Sequence, residues 1–403
     1  MKKGFTLVEL LAVIVILAVI LIIAIPQVLK AVDNSRNSAY RNQEQMIENV
    51  AKTYLTSNSG KAPNEIGETL FIDLADLQIK NLIGEIRDVS NQKIICTGYI
   101  TITKIDFNDY DYKSFINCGE NYQTEGYENL IIIDVLVVGG GGAGSTGTTS
   151  HHAGGGGGAG GVIFEQNYTV NSGNEISVIV GAGGNGVSGR QQTGESGMDS
   201  IFSTLVAVGG GAGGSGNASD GQDGGSGGGA GNNRTFGQGI NRQGFAGGNS
   251  LPHTIQTGAG GGGGAGGVGG NATSTNGGDG GVGVYFGQTF GDTYGENGWF
   301  ASGGGAGGGT TSYSGDSSLG GGGNGGTASV GSRHPNNALQ NTGGGGGGTL
   351  QGVDPSGNGG SGIVLIRYPG QQKANGGIVS TYNGYTIHAF TEVGESIFEV
   401  LEF

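Results

Sequence analysis

From Phe5 to Ile25 the chain carries only apolar or small residues, apart from Thr6 and Glu9. A helix over that run is long enough to cross the roughly 30 Å hydrocarbon core of a bilayer. A secretory signal peptide would have a shorter apolar region followed by a small-residue cleavage site. Here the run passes through Pro26 into a polar helical pattern over Ala31–Leu55. The period then changes. KIICTGYITITKI (Lys93–Ile105) alternates apolar and polar residues as a half-buried strand does, within a small α+β head over Leu70–Tyr122. Further strands are expected at Ile131–Val138, Val162–Val170, Glu175–Val180 and Ser200–Val208, then at Gly362–Tyr368 (GIVLIRY).

Composition changes the picture after the head. The chain has 95 glycines in 403 residues, and 83 of them lie between Gly139 and Gly362. They come in blocks: GGGGGAGG at Gly154–Gly161, GAGGGGGAGGVGG at Gly258–Gly270, GGGAGGG at Gly303–Gly309 and GGGGGG at Gly343–Gly348. Six prolines and no Gly-X-Y period exclude a collagen helix. Disorder is the other compositional reading, but a flexible linker would not carry strands between its glycines. Ordering so much glycine costs a large conformational entropy, so the missing side chain must serve contact. Extended helices with three residues per turn have no internal hydrogen bonds. Side by side, they can satisfy one another's N–H and C=O groups, with weak Cα–H···O contacts in addition. Gly139-x-Gly141-x-x-Gly144 after an apolar strand has the spacing of a dinucleotide fingerprint. The following STGTTSHHAGGGGGAGG cannot form the helix that motif needs, so no nucleotide cofactor is expected. The calcium-binding nonapeptide repeat is excluded because no aspartate recurs at a fixed place in the runs.

Charge narrows the function classes. The net charge is −14, and from residue 135 onward 15 acidic residues face 6 basic ones, so there is no basic surface for nucleic acid. Lys2 and Lys3 hold the N-terminus in the cytoplasm, which places the rest outside. Glu9 costs about 2.5–3.5 kcal/mol inside a membrane span and calls for a partner. Cleavage after Gly4 would create one: the α-amine of Phe5 in a neighbouring copy.

K-K-G-F-T-L-V-E-L followed by Pro26 resembles the type IV pilin and pseudopilin leader. That resemblance implies cleavage between Gly4 and Phe5 by prepilin peptidase, N-methylation of Phe5, a helix-kinking role for Pro26, and passage from the membrane into a filament. Partner subunits would be held through the N-terminal helix and Glu9. With an extracellular address, Cys96 and Cys118 are expected to form a disulfide, closing a short loop worth about 3 kcal/mol. The layout around these cysteines also looks like pilin heads of Gram-positive type.

DVLVVGGGGAG, the GGGGGAGGV–strand pair at Gly154–Val162 and the closing GGSGIVLIRY (Gly359–Tyr368) resemble the polyglycine-II sandwich of phage tail-fibre adhesins and related glycine-rich domains. The expected fold is a long N-terminal α-helix with a small α+β pilin head, then an all-β base carrying a polyglycine-II helical sandwich. The expected divisions are a leader (1–4), a helix (5–56, spanning the membrane over 5–28), a head (57–125), the glycine-rich domain (126–370) and C-terminal strands (371–403) packing on its base, where IHAFTEVGESIFEV (Ile387–Val400) resembles a hairpin of that family. In those adhesins, recognition lies in loops joining the helices at the far end. The richest loop here is Asn271–Ser302. Its Tyr285, Phe286, Tyr294, Trp299 and Phe300, beside Asp292 and Asn297, form a candidate glycan surface, where flat rings cover C–H groups while polar groups take hydroxyls; the alternative is that the rings only cover the lattice's flanks. Asn232–Thr257 and Thr327–Thr342 are secondary candidates. His151–His152 has no Cys or carboxylate at ligand spacing, so no metal is expected, and no nucleophile–base arrangement marks an enzyme. The function expected is a minor or tip pilin-like subunit with an adhesive domain. The alternative is a major pilin or type II secretion pseudopilin whose glycine-rich part is a coat without a ligand.

Overall fold

The computed structural model describes residues 7–402 except 149–151, 217, 252–257, 275, 310–312, 328–332 and 351–354. The chain divides into two compact units, Met1–Glu128 and Asn129–Phe403.

In the first unit, helix α1 (Leu7–Ser57) continues through Pro26. Its first half is apolar and exposed on all sides, from Leu7 to Leu29. Its second half has a buried face formed by Tyr40, Ile47, Ala51, Tyr54 and Leu55, at the spacing of successive helical turns. That face packs on an antiparallel sheet of β1 (Thr69–Asp73), β2 (Thr97–Asp106) and β3 (Asp109–Asn117), in that order. The Asp73 carboxylate accepts from Ala75 N at 2.8 Å and caps the short helix α2 (Leu74–Ile79). Ile72, Leu77, Ile100, Ile102 and Ile116 fill the space between helix and sheet. The alternating stretch from Lys93 joins the sheet only from Thr97: before it, Asp88 N donates to the Ile94 carbonyl and Cys96 N to that of Ile86, and Cys96 is joined to Cys118 in a buried disulfide.

The second unit begins with β4 (Leu130–Val138), followed by β5 (Val162–Asn171), β6 (Glu175–Val180), β7 (Ser200–Phe202) and β8 (Leu205–Ala207). The stretch expected as one strand over Ser200–Val208 is a tight hairpin, turned at Ser203 with φ 54°. A two-residue strand pair, β9 (Val284–Tyr285) and β10 (Trp299–Phe300), flanks a helical turn, α3 (Gly287–Phe290). The chain ends in β11 (Ile363–Pro369), β12 (Ala374–Asn375), β13 (Ile378–Tyr382), β14 (Tyr385–Phe390) and β15 (Gly394–Val400). Two five-stranded sheets result, ordered β13-β14-β11-β4-β5 and β12-β15-β6-β7-β8. The segment expected as a hairpin over Ile387–Val400 is not one: β14 pairs with β11 in the first sheet and β15 with β6 in the second. The crossing lets Phe390 and Phe398 both enter the core between the sheets.

Alternation along β4 sends Ile131, Ile133, Val135 and Val137 into that core, together with Val364, Ile366 and Tyr368 of β11. Leu136, Val138, Ile363 and Leu365 enter a second cluster on the opposite face. Strands buried on both faces read as continuous apolar runs, which explains IIIDVLVV.

From the ends of these strands the glycine runs extend as a lattice. The central run, Gly154–Gly161, shows its construction. Gly155, Gly158 and Gly161 donate to the carbonyls of Gly214, Gly211 and Val208. Gly154, Gly157 and Gly160 donate to Thr349, Gly346 and Gly343, while Gly156 and Ala159 donate to Gly260 and Gly263. Its own carbonyls accept from three further runs: Gly139, Gly142 and Ser145; Ser226 and Gly229; Gly304 and Gly307. All these bonds are 2.7–3.2 Å long. Every third residue meets the same neighbour, so the run is an extended helix of three residues per turn, surrounded by six others. The backbone pairs entirely between helices.

Candidate recognition surface

The polar connections at the end away from the sheets are held by the same lattice. Thr146 bridges to Thr349, Gly147 N donates to the Thr349 carbonyl and Thr148 N to that of His152. The His152 ring meets Asn232 Oδ1 through Nδ1 at 2.8 Å; His151 lies outside the described residues. Among the described residues, no group of three or more His, Cys, Asp or Glu side chains is placed to hold a metal ion. Of the secondary candidates, Asn233, Arg234, Thr235, Ser250 and Leu251 line a shallow cleft of about 410 Å³ with Asp220.

The aromatic segment lies elsewhere. It was expected among the far-end connections, yet β9, α3 and β10 fold over the outer face of the first sheet, at the base. Phe300 and Phe290 are buried against Leu136, Val138, Leu365, Ile387 and Ala389. Phe286 is half-buried, with its ring centroid 5.1 Å from that of Phe164. Tyr294 is half-buried, its hydroxyl 3.0 Å from Ser380 Oγ. The physical reason is the second apolar face of β4 and β11, which water would otherwise meet. A cross-strand pair fixes the cover in place. The Arg367 guanidinium donates twice to the Asp134 carboxylate, at 2.8 and 3.0 Å, and once to the Thr289 carbonyl at 2.8 Å. It lies over the Tyr385 ring, 4.4 Å from its centroid. Composition gave no sign of this clamp; only the β4–β11 register, Arg367 opposite Asp134, reveals it.

Three of the seven predicted residues, Tyr285, Asp292 and Asn297, are exposed, and the half-buried Trp299 packs beside Tyr285. The Tyr285 and Trp299 rings lie side by side, with centroids 5.2 Å apart and planes at 40°. The Tyr285 hydroxyl donates to Asp292 Oδ1 at 3.0 Å, and that hydrogen bond holds the phenol above its usual pKa. Asp292 and Asn297 are exposed, Tyr285 is 41% exposed and Trp299 is half-buried. Asn297 adopts φ 51°, the left-handed conformation that Asn tolerates, and with Gly298 turns the chain back into Trp299. The Tyr382 ring lies over the same loop, beside Gly291. Glu296, by contrast, is used internally: its carboxylate accepts from Gly320 N and Gly321 N at 2.8 and 2.9 Å.

In the first unit, Glu9 lies in the exposed apolar half of α1, which is long and apolar enough to cross a membrane. Gly4 and Phe5 lie outside the described residues.

Residues 118–369 match the family model described as the glycine-rich domain. The chain belongs to the glycine-rich domain family. Residues 1–25 match the prokaryotic N-terminal methylation motif. Together with the apolar helix, this marks the glycine-rich chain as a type IV pilin-like or pseudopilin-like subunit. The motif implies processing by prepilin peptidase and assembly with other pilins. With α1, it fits a membrane-anchored precursor that passes into an extracellular filament. No curated protein matches this glycine-rich chain.

Proposed function

We propose that the chain is a minor or tip subunit of a type IV pilin-like filament, and that its glycine-rich unit binds a surface glycan through Tyr285, Asp292, Asn297 and Trp299. The observation that carries the reading is the Tyr285–Trp299 ring pair, with the Asp292 carboxylate bonded to the Tyr285 hydroxyl and the exposed Asn297 in the same loop. A pyranose has one face of C–H groups for the rings and hydroxyls for the polar side chains. Phe286, Tyr294 and Phe300, expected in the same surface, form the support beneath it. A unit as large as Asn129–Phe403 on every subunit would crowd a shaft, which favours a scarce, terminal position.

Purified filaments applied to a glycan array test this. Trp299→Ala is expected to weaken the binding seen with wild type by up to about tenfold, and Tyr285→Phe to weaken it less, since the ring stays. Immunogold labelling is expected at filament ends. Label along the whole shaft with no glycan bound would make the unit a coat and end this reading.

A further inference from the structure

In the lattice interior, amides meet backbone carbonyls. At the rim a run lacks neighbours on its outer side, and an outward amide has only water or another molecule to pair with. An unpaired backbone edge is a template for a further chain, as in a β-sheet. The rim runs carry exposed polar side chains three residues apart: Asp220 and Asp223, Thr235 and Gln238, Asn337 and Gln340.

Oxygens of one such column reach the backbone of the next run. Asp220 Oδ1 accepts from Thr235 N at 3.0 Å, and Asp223 Oδ1 from Gln238 N at 2.6 Å. Elsewhere, Asn337 Oδ1 accepts from Asn358 N at 2.8 Å, and Gln340 Oε1 from Ser361 N at 3.2 Å. In both ladders donor and acceptor advance by three residues, the repeat of the helix itself, so the rungs keep step with the lattice. Single rungs of the same kind join Asp279 to Asp316 N and Asn271 to Asn249 N, each at 2.8 Å. One ladder is built of carboxylates and the other of amides. The shared feature is therefore the acceptor oxygen and not the charge.

We propose that these side-chain ladders terminate the lattice. They occupy rim amides that would otherwise pair with the glycine runs of a second copy of this chain, and so keep neighbouring subunits from fusing sideways. The test compares Asp220→Ala/Asp223→Ala with Asp220→Asn/Asp223→Asn in the full chain in detergent, by peptide-resolved hydrogen exchange and sedimentation. In the Ala pair, exchange at Thr235 and Gln238 should rise by about tenfold or more, and the protein should sediment as larger species than wild type. The Asn pair, which keeps an acceptor oxygen, should match wild type in both. Unchanged exchange and sedimentation in the Ala pair would overturn the proposal. So would association of the Asn pair as strong as that of the Ala pair, which would make charge the barrier. Slow exchange at Gly157 and Gly158 verifies that the Ala pair is folded. If it is not, Asn337→Ala/Gln340→Ala is read by the same two measurements and must show faster exchange at Asn358 and Ser361 with added association, or the proposal fails.

Discussion

At Gly157 an added Cβ would overlap the carbonyl of Gly142, and at Gly156 that of Gly304, closer than real Cβ atoms approach anything. The obstacle is backbone of a neighbouring helix, which cannot swing aside as a side chain can. Gly157→Ala is therefore expected to destabilise the glycine-rich unit by about 3 kcal/mol, the upper end of the usual cost of overpacking, while Ala159→Gly, which removes a methyl already accommodated there, should cost far less. Thermal melts of the two variants decide it. The glycine blocks were legible in sequence because nothing else explains so much entropy spent; the rim ladders were not, because a polar residue at every third position also looks like a solvated loop. His388 carries a second prediction. It is buried, its Nδ1–H donates to the Gly376 carbonyl at 2.7 Å, and its Nε2 accepts from the Tyr368 hydroxyl at 2.8 Å. Burial pushes its pKa below the ordinary 6.5. As pH falls below about 6.5 the unfolded chain takes up this proton before the folded one, so stability present above that pH is lost below it. Melts of the glycine-rich unit between pH 7.5 and 5 should show this slope, and His388→Gln should flatten it.

At the scale of elements, the decisive pairs are distant in sequence. β14 lies between β13 and β11, and β15 between β12 and β6, so the last strands are interior members of both sheets. Removing residues 376–403 would expose the inter-sheet core lined by Phe202, Val178 and Ile366. Its melting temperature should fall by roughly 10 °C or more; an unchanged melt would show that the base stands without these strands. Alternation located most strands, since period two needs only local information. It could not tell that Ile387–Val400 divides between two sheets, a choice made by where Phe390 and Phe398 are buried. Nor could it place Tyr285–Phe300. Aromatic residues in a glycine-rich loop look alike whether they face water or cover a sheet, and here the outer face of β4 and β11 claimed Phe290 and Phe300. The candidate glycan surface is what that packing leaves accessible.

For the molecule as a whole, the two matched segments join a filament-forming N-terminus to a glycine-rich body. The leader was legible because it is a short, strict motif. The body was legible only as a pattern of blocks, and its order rests on a hydrogen-bond network that no single run could form alone. Display of any surface by this unit depends on that network being rigid. Hydrogen exchange across Gly154–Gly161 in the intact chain tests it most directly, because those amides donate to three other runs and to no element of their own. A packed lattice predicts protection there comparable to that of β4 and β11. Exchange as fast as in an unfolded peptide, alongside protected strands, would contradict it.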